Sequence, residues 1–114
     1  MNSPDCIRLQ HMLDSARDAM AISAGRDRGD LDRDRGLVLA LVKCVEIIGE
    51  AANNITPETR DRLPEIPWIA IIAMRHRLVH GYFQINLDTV WKTLEEDLPP
   101  LIFALERIVS GETK

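Results

Sequence analysis

Two histidines, two arginines and a tyrosine fall within the eight consecutive residues Arg75 to Tyr82. Histidine is the side chain best suited to moving protons near neutral pH. Arginine is a fixed cation whose planar fork of donors matches phosphate oxygens. Together they suit cleavage of a phosphodiester without a metal. The histidine takes a proton from an attacking 2′-hydroxyl or gives one to the leaving oxygen, and the arginine stabilises charge on the phosphorane. Arg75 and His80 are five residues apart, about 140° around a regular helix, so a straight helix would not bring them to one face. Gly81 is the residue type that commonly follows a helix C-terminus. It places His80 in the last helical turn, where a long arginine can reach round. His76 and His80, at i and i+4, then share a face, and Tyr82 leaves the helix end for a loop.

The same residues admit plainer readings. The chain has eleven arginines and three histidines, so an arginine followed five residues later by a histidine is a common pattern, and a histidine near a helix C-terminus also favours the helix dipole. His76 and His80 have the spacing of a helical zinc pair, but the position after the first histidine is Arg77, a cation where a metalloprotease carries glutamate. No third ligand stands nearby, and no metal site is expected.

Net charge is −4 and the isoelectric point about 5.3, whereas nucleic-acid binders are more often basic. An RNA role therefore needs local positive charge. Arg75 and Arg77 supply it, and a dimer that brought two copies of the stretch together would double it. Cys6 and Cys44 form no CxxC pair and read as reduced thiols. The longest apolar run, Leu37 to Val42, is too short to span a bilayer. With no signal peptide in view, a soluble cytoplasmic protein of one domain, residues 1–114, is expected.

The elements that must position the motif are helical. Ser3-Pro4-Asp5 reads as a helix start, with serine as cap and proline at the first helical position. Leu9, Leu13, Ala16 and Met20 follow at helical spacing, and Gly25 is a stop. The segment from Gly25 to Gly36 alternates acid, arginine and glycine, a solvated connection with a helix beginning near Asp30 or Asp32. Leu37 to Ile55 is apolar on most faces, as in a central helix buried by neighbours or by a partner chain. Its polar exceptions, Lys43, Glu46, Glu50 and Asn53 or Asn54, form one narrow stripe, and Glu50 is a candidate to face an arginine or histidine of the motif. Gly49 and Ala51-Ala52 allow another helix to come close. Pro67 opens the helix that delivers Arg75 to His80. Phe83 and Ile85 are candidate core anchors. Asn86 or Asp88 caps a final helix with a seam of Trp91, Leu94, Leu98, Leu101, Leu105 and Ile108, kinked or interrupted at Pro99-Pro100. No stretch shows the period of two of a strand. The expected fold is all-α, an antiparallel bundle of four main helices.

Ile47-Ile48-Gly49-Glu50-Ala51-Ala52-Asn53, Ile66-Pro67-Trp68, Met74 to Tyr82, Val90-Trp91 and Asp97-Leu98-Pro99-Pro100-Leu101 resemble, in order, the HepT group of the HEPN superfamily. Arg75, His80 and Tyr82 reproduce that group's RX4HXY signature. The resemblance implies a metal-independent endoribonuclease, the toxin of a type VII-like toxin–antitoxin pair, acting on transfer or messenger RNA without a cofactor. It implies a homodimer whose two motifs meet at a shared cleft. It also implies a minimal nucleotidyltransferase antitoxin that AMPylates the motif tyrosine, here Tyr82, setting bulk and negative charge beside Arg75 and His80. On this reading Arg75 binds the scissile phosphate and His80 is the principal acid or base. Arg77 is an RNA contact and Glu50 supports from behind. His76 stands where the group more often has asparagine, so helper, spare base and hydrogen-bonder all stay open for it. Two rivals remain: a non-catalytic helical subunit that binds RNA or scaffolds a nucleotidyltransferase, and an accessory half of that transferase.

Overall fold

The structure is a computed structural model that describes residues 2–80 and 84–111, His80 by its backbone alone. About 80% of the described residues are helical, as expected. Helix α1 spans Ser3–Ser23, α2 Asp30–Arg33, α3 Arg35–Asn53, α4 Pro57–Arg62 and α5 Trp68–Leu78. Two short strands follow, β1 (Val79–His80) and β2 (Gln84–Ile85). Helix α6 (Leu87–Lys92) then runs through a π-helical turn (Thr93–Asp97) into α7 (Leu98–Val109).

Helix α3 packs against both α1 and α5, and α1 also packs on α7. Met12, Ala16, Leu41, Ile48, Met74, Leu98 and Leu105 are among the residues wholly removed from solvent in the shared core. The expected seam of α7 is buried at Leu98, Leu101, Leu105 and Ile108. Among the described residues, no helix is long and apolar enough to cross a membrane.

Several ends differ from expectation. The cap of α1 is Asn2, whose side chain accepts from the Asp5 amide at 2.8 Å; Ser3 is already helical. The stop at Gly25 is as expected, and its φ of +75° is the reason glycine is needed, because a Cβ there would meet nothing within 4 Å. A short helix begins at Asp30, as expected, and Asp34 caps the central helix, accepting from the Leu37 amide at 3.0 Å. Asn86 caps α6 through the Thr89 amide. Pro99 and Pro100 sit in the first turn of α7, and the helical run widens into its π turn directly before them. A proline cannot donate to the carbonyl four residues back, and the wider turn accommodates carbonyls left without that donor.

Asp5 stands in the first turn of α1. It is fully buried and ties α1 to α4. It accepts from the Thr56 amide at 3.1 Å, from the Thr56 hydroxyl at 2.6 Å and from the Thr59 hydroxyl. Burial pushes its pKa up, but the hydrogen bonds from Thr56 and Thr59 outweigh that and hold the carboxyl below the usual carboxylate range. A depressed folded-state pKa gives stability that is present above the unfolded value, near pH 4, and lost as pH falls through the folded one. Asp5→Asn is therefore expected to lower unfolding stability by roughly 2 kcal/mol at neutral pH. The gap to wild type should close on acidification, as measured by denaturant titration at pH 7 and pH 3.

Candidate active site

Trp68 fixes the start of α5: its indole nitrogen donates to the carbonyls of Leu63 and Arg60, at 3.0 and 3.2 Å. The helix then lies against α3 at Gly49. A Cβ on Gly49 would sit 3.4 Å from the Ile72 carbonyl oxygen and 3.5 Å from that of Ile71, ordinary contact distances, so alanine would fit here and a longer side chain would meet the α5 backbone. The contact sets the register. Arg75, one turn on from Ile72, meets Glu46, one turn back from Gly49, with Arg75 Nε 3.3 Å from Glu46 Oε1.

Arg75 and His76 form one edge of an open cleft of about 400 Å³ whose other walls are Glu46, Gly49, Glu50, Asn53 and Ile72. Sequence reasoning chose Glu50 as the acid facing the motif. Glu50 does line the cleft, but the carboxylate paired with Arg75 is Glu46. Both lie on the same stripe of α3, and the stripe alone does not choose between them. The signal that does is Gly49, once it is read as the point of closest approach.

His80 is not in a last helical turn. Helix α5 ends at Leu78, because Val79 is extended (φ −121°, ψ 122°) while its amide still donates to the Arg75 carbonyl. Val79 and His80 pair antiparallel with Ile85 and Gln84, a short hairpin where no strand was expected. The Asn86 amide closes it on the Leu78 carbonyl at 2.7 Å. The backbone leaves the helix before His80, so His76 and His80 are not i and i+4 on one helix. The 140° separation also lapses, since the chain turns out of the helix before His80. Tyr82 and Phe83 lie outside the described residues; Ile85 packs partly against the core.

Arg77 is on a different flank. Its guanidinium donates to the Ala70 carbonyl at 3.1 Å, and it borders cavities walled by Trp68 and Ile69 on one side and Glu96 and Asp97 on the other. The structure brings Arg75, His76, Glu46 and Glu50 together and leaves Arg77 apart from them within the chain. Cys44 is buried, which pushes its thiol pKa up, so it is a packing residue and not a nucleophile.

The HepT-like family, described as ribonuclease HepT-like, matches residues 12–108. A protein named as a proposed RNase in Caldanaerobacter subterraneus subsp. tengcongensis is 33% identical over 91% of this chain and 93% of its own length. One named as a probable ribonuclease HepT in Thermococcus cleftensis is 39% identical over 66% of this chain and 68% of its own. A further proposed RNase, from Methanocaldococcus jannaschii, is 31% identical over 82% of this chain and 85% of its own. No solved structure gives a significant match. With a match from within α1 almost to the end of α7, across the α3–α5 contact and the cleft it frames, the chain belongs to the HepT-like ribonuclease family of the HEPN superfamily.

Proposed function

We propose that this chain is a metal-independent endoribonuclease and the toxin of a toxin–antitoxin pair. The observation that carries the reading is the position of Arg75 and His76 on a cleft edge, at the point where α5 gives way to the strand bearing His80. In the reaction the 2′-hydroxyl of the RNA attacks the adjacent phosphorus. A P–O2′ bond forms and the P–O5′ bond breaks, leaving a 2′,3′-cyclic phosphate and a 5′-hydroxyl. One proton leaves the 2′-oxygen and one is delivered to the 5′-oxygen. His80 handles one of these transfers, and His76 orients or assists. Arg75 holds the phosphate and offsets the charge that grows on its oxygens. Transfer RNA and messenger RNA both meet the demand for a 2′-hydroxyl.

The acting unit is a homodimer. On α3, otherwise buried along most of its length, the apolar Leu39 and Ile47 remain 47% and 37% exposed, surface that a second copy would cover, and in the dimer the two motifs share one cleft. That pairing doubles the local count of motif cations, which matters for RNA binding by a chain of net charge −4. A minimal nucleotidyltransferase neutralises the toxin by AMPylating Tyr82, which sits two residues beyond His80, so the adduct's phosphate competes with RNA for the same donors.

Growth assays with both proteins test the regulatory half. The chain expressed alone should arrest growth. Co-expression with its nucleotidyltransferase should restore growth and add the mass of an adenylyl group to the Tyr82 peptide. Tyr82→Phe should remain toxic with the antitoxin present. Rescue of Tyr82→Phe as complete as that of wild type would contradict AMPylation of Tyr82 as the means of control.

A further inference from the structure

We propose that Glu46 is the positioning residue for Arg75, fixing which guanidinium nitrogens meet the RNA phosphate. The inference rests on the ribonuclease reading above and goes beyond the RX4HXY residues. An arginine at the mouth of an open cleft has several rotatable bonds and five N–H donors, and only some of its orientations present two donors to one phosphate.

Glu46 approaches Arg75 most closely at Nε, at 3.3 Å. Nε is the nitrogen nearest the side-chain stem. An ion pair on this side draws the guanidinium toward α3 by its stem while leaving the two terminal nitrogens to form the fork that phosphate recognition uses. Glu46 is itself held by its place on α3, one turn from the Gly49 contact with the α5 backbone. The side chains of Glu46 and Arg75 are 32% and 45% exposed. An ion pair this wet adds little to stability, so its presence at the site is better explained by orientation than by folding.

The charge of Glu46 has an opposite effect on binding. Glu46 and Glu50 both line the cleft with Arg75 and His76, and each carboxylate repels the RNA backbone. A residue that aligns the arginine while weakening the local field has a signature that separates it from a structural residue. Removing it should slow the chemical step without weakening RNA binding.

The test uses the full-length protein, a defined single-stranded RNA and three variants. Glu46→Ala should lower kcat by roughly 10- to 100-fold, the scale of a small misplacement of a reacting group, with KM unchanged or reduced. Glu46→Gln keeps an acceptor oxygen for Nε and should recover most of the lost kcat. In an Arg75→Ala background, Glu46→Ala should have no further effect on kcat, because the two act as one unit in the chemical step. The Arg75 Nε–H resonance gives a readout independent of activity: it should be slow to exchange in wild type and in Glu46→Gln, and fast in Glu46→Ala. Equal Nε–H exchange in all three, or a rise in kcat for Glu46→Ala, overturns the positioning role, the second by making Glu46 a competitor of the phosphate. Absence of cleavage by wild type while the Nε–H contrast persists overturns the ribonuclease reading instead.

Discussion

Replacing His80 with alanine is expected to lower the rate of RNA cleavage by roughly 10²- to 10⁴-fold, the usual contribution of a positioned acid or base, with the fold unchanged. The structural half of this expectation comes from the hairpin. His80 pairs with Gln84 through the backbone, and alanine preserves that pairing. The core beneath is supplied by Leu78, Met74 and Val90, all buried, and the Asn86 amide closes the hairpin on the Leu78 carbonyl. Circular dichroism and thermal unfolding of His80→Ala should match wild type, and RNA affinity should change little, because the role proposed for His80 is to move a proton while Arg75 holds the phosphate. A loss confined to kcat identifies a group that acts in the transition state. An equal loss in RNA affinity would instead make His80 a binding residue.

Arg75→Ala is expected to cost about 10²- to 10³-fold in kcat, the range seen when one stabilising donor is removed from a developing oxyanion, and also to raise KM. The two variants should differ in this second respect because Arg75 has two tasks. It supplies transition-state charge, and it is the cation that offsets Glu46 and Glu50 within the cleft. Its removal leaves two carboxylates facing an incoming polyanion. Arg75→Lys restores the charge but not the planar fork, so KM should recover more fully than kcat. Measuring both constants for both variants at fixed ionic strength checks this, since the electrostatic part weakens with salt. A lysine variant with full kcat would mean that charge alone suffices at this position.

The parts of the fold that repeat were legible in the residues. The helical spacing of Leu9, Leu13 and Ala16 in α1 and of Leu94, Leu98, Leu101, Leu105 and Ile108 near the C-terminus follows from burial of one face, and periodicity reports burial directly. The end of α5 was not legible in this way. Gly81 marked a stop, but the helix gives way earlier, at Val79, a β-branched residue that takes the extended conformation and pairs across to Ile85. A two-residue strand is too short to show a period of two. The burial of Asp5 was hidden for a different reason: its partners Thr56 and Thr59 lie fifty-odd residues away, and local sequence shows only the helix start. At the site, residue types pointed to Arg75 and His76, while the choice of Glu46 over Glu50 needed the α3–α5 register. Arg77 looked equivalent to Arg75 in a linear reading. Two positions along a helix turn a side chain through about 200°, which puts Arg77 on the opposite flank, against Ala70.

The measurement that tests the central claim most directly is cleavage of total transfer RNA by the purified protein in EDTA, comparing wild type with His80→Ala and mapping the product ends. The protein must first be shown by mass to carry no adenylyl group on Tyr82. The account predicts cleavage by wild type alone, leaving 5′-hydroxyl ends and cyclic phosphates. Equal cleavage by His80→Ala, or none by unmodified dimeric wild type on transfer or messenger RNA, would contradict it.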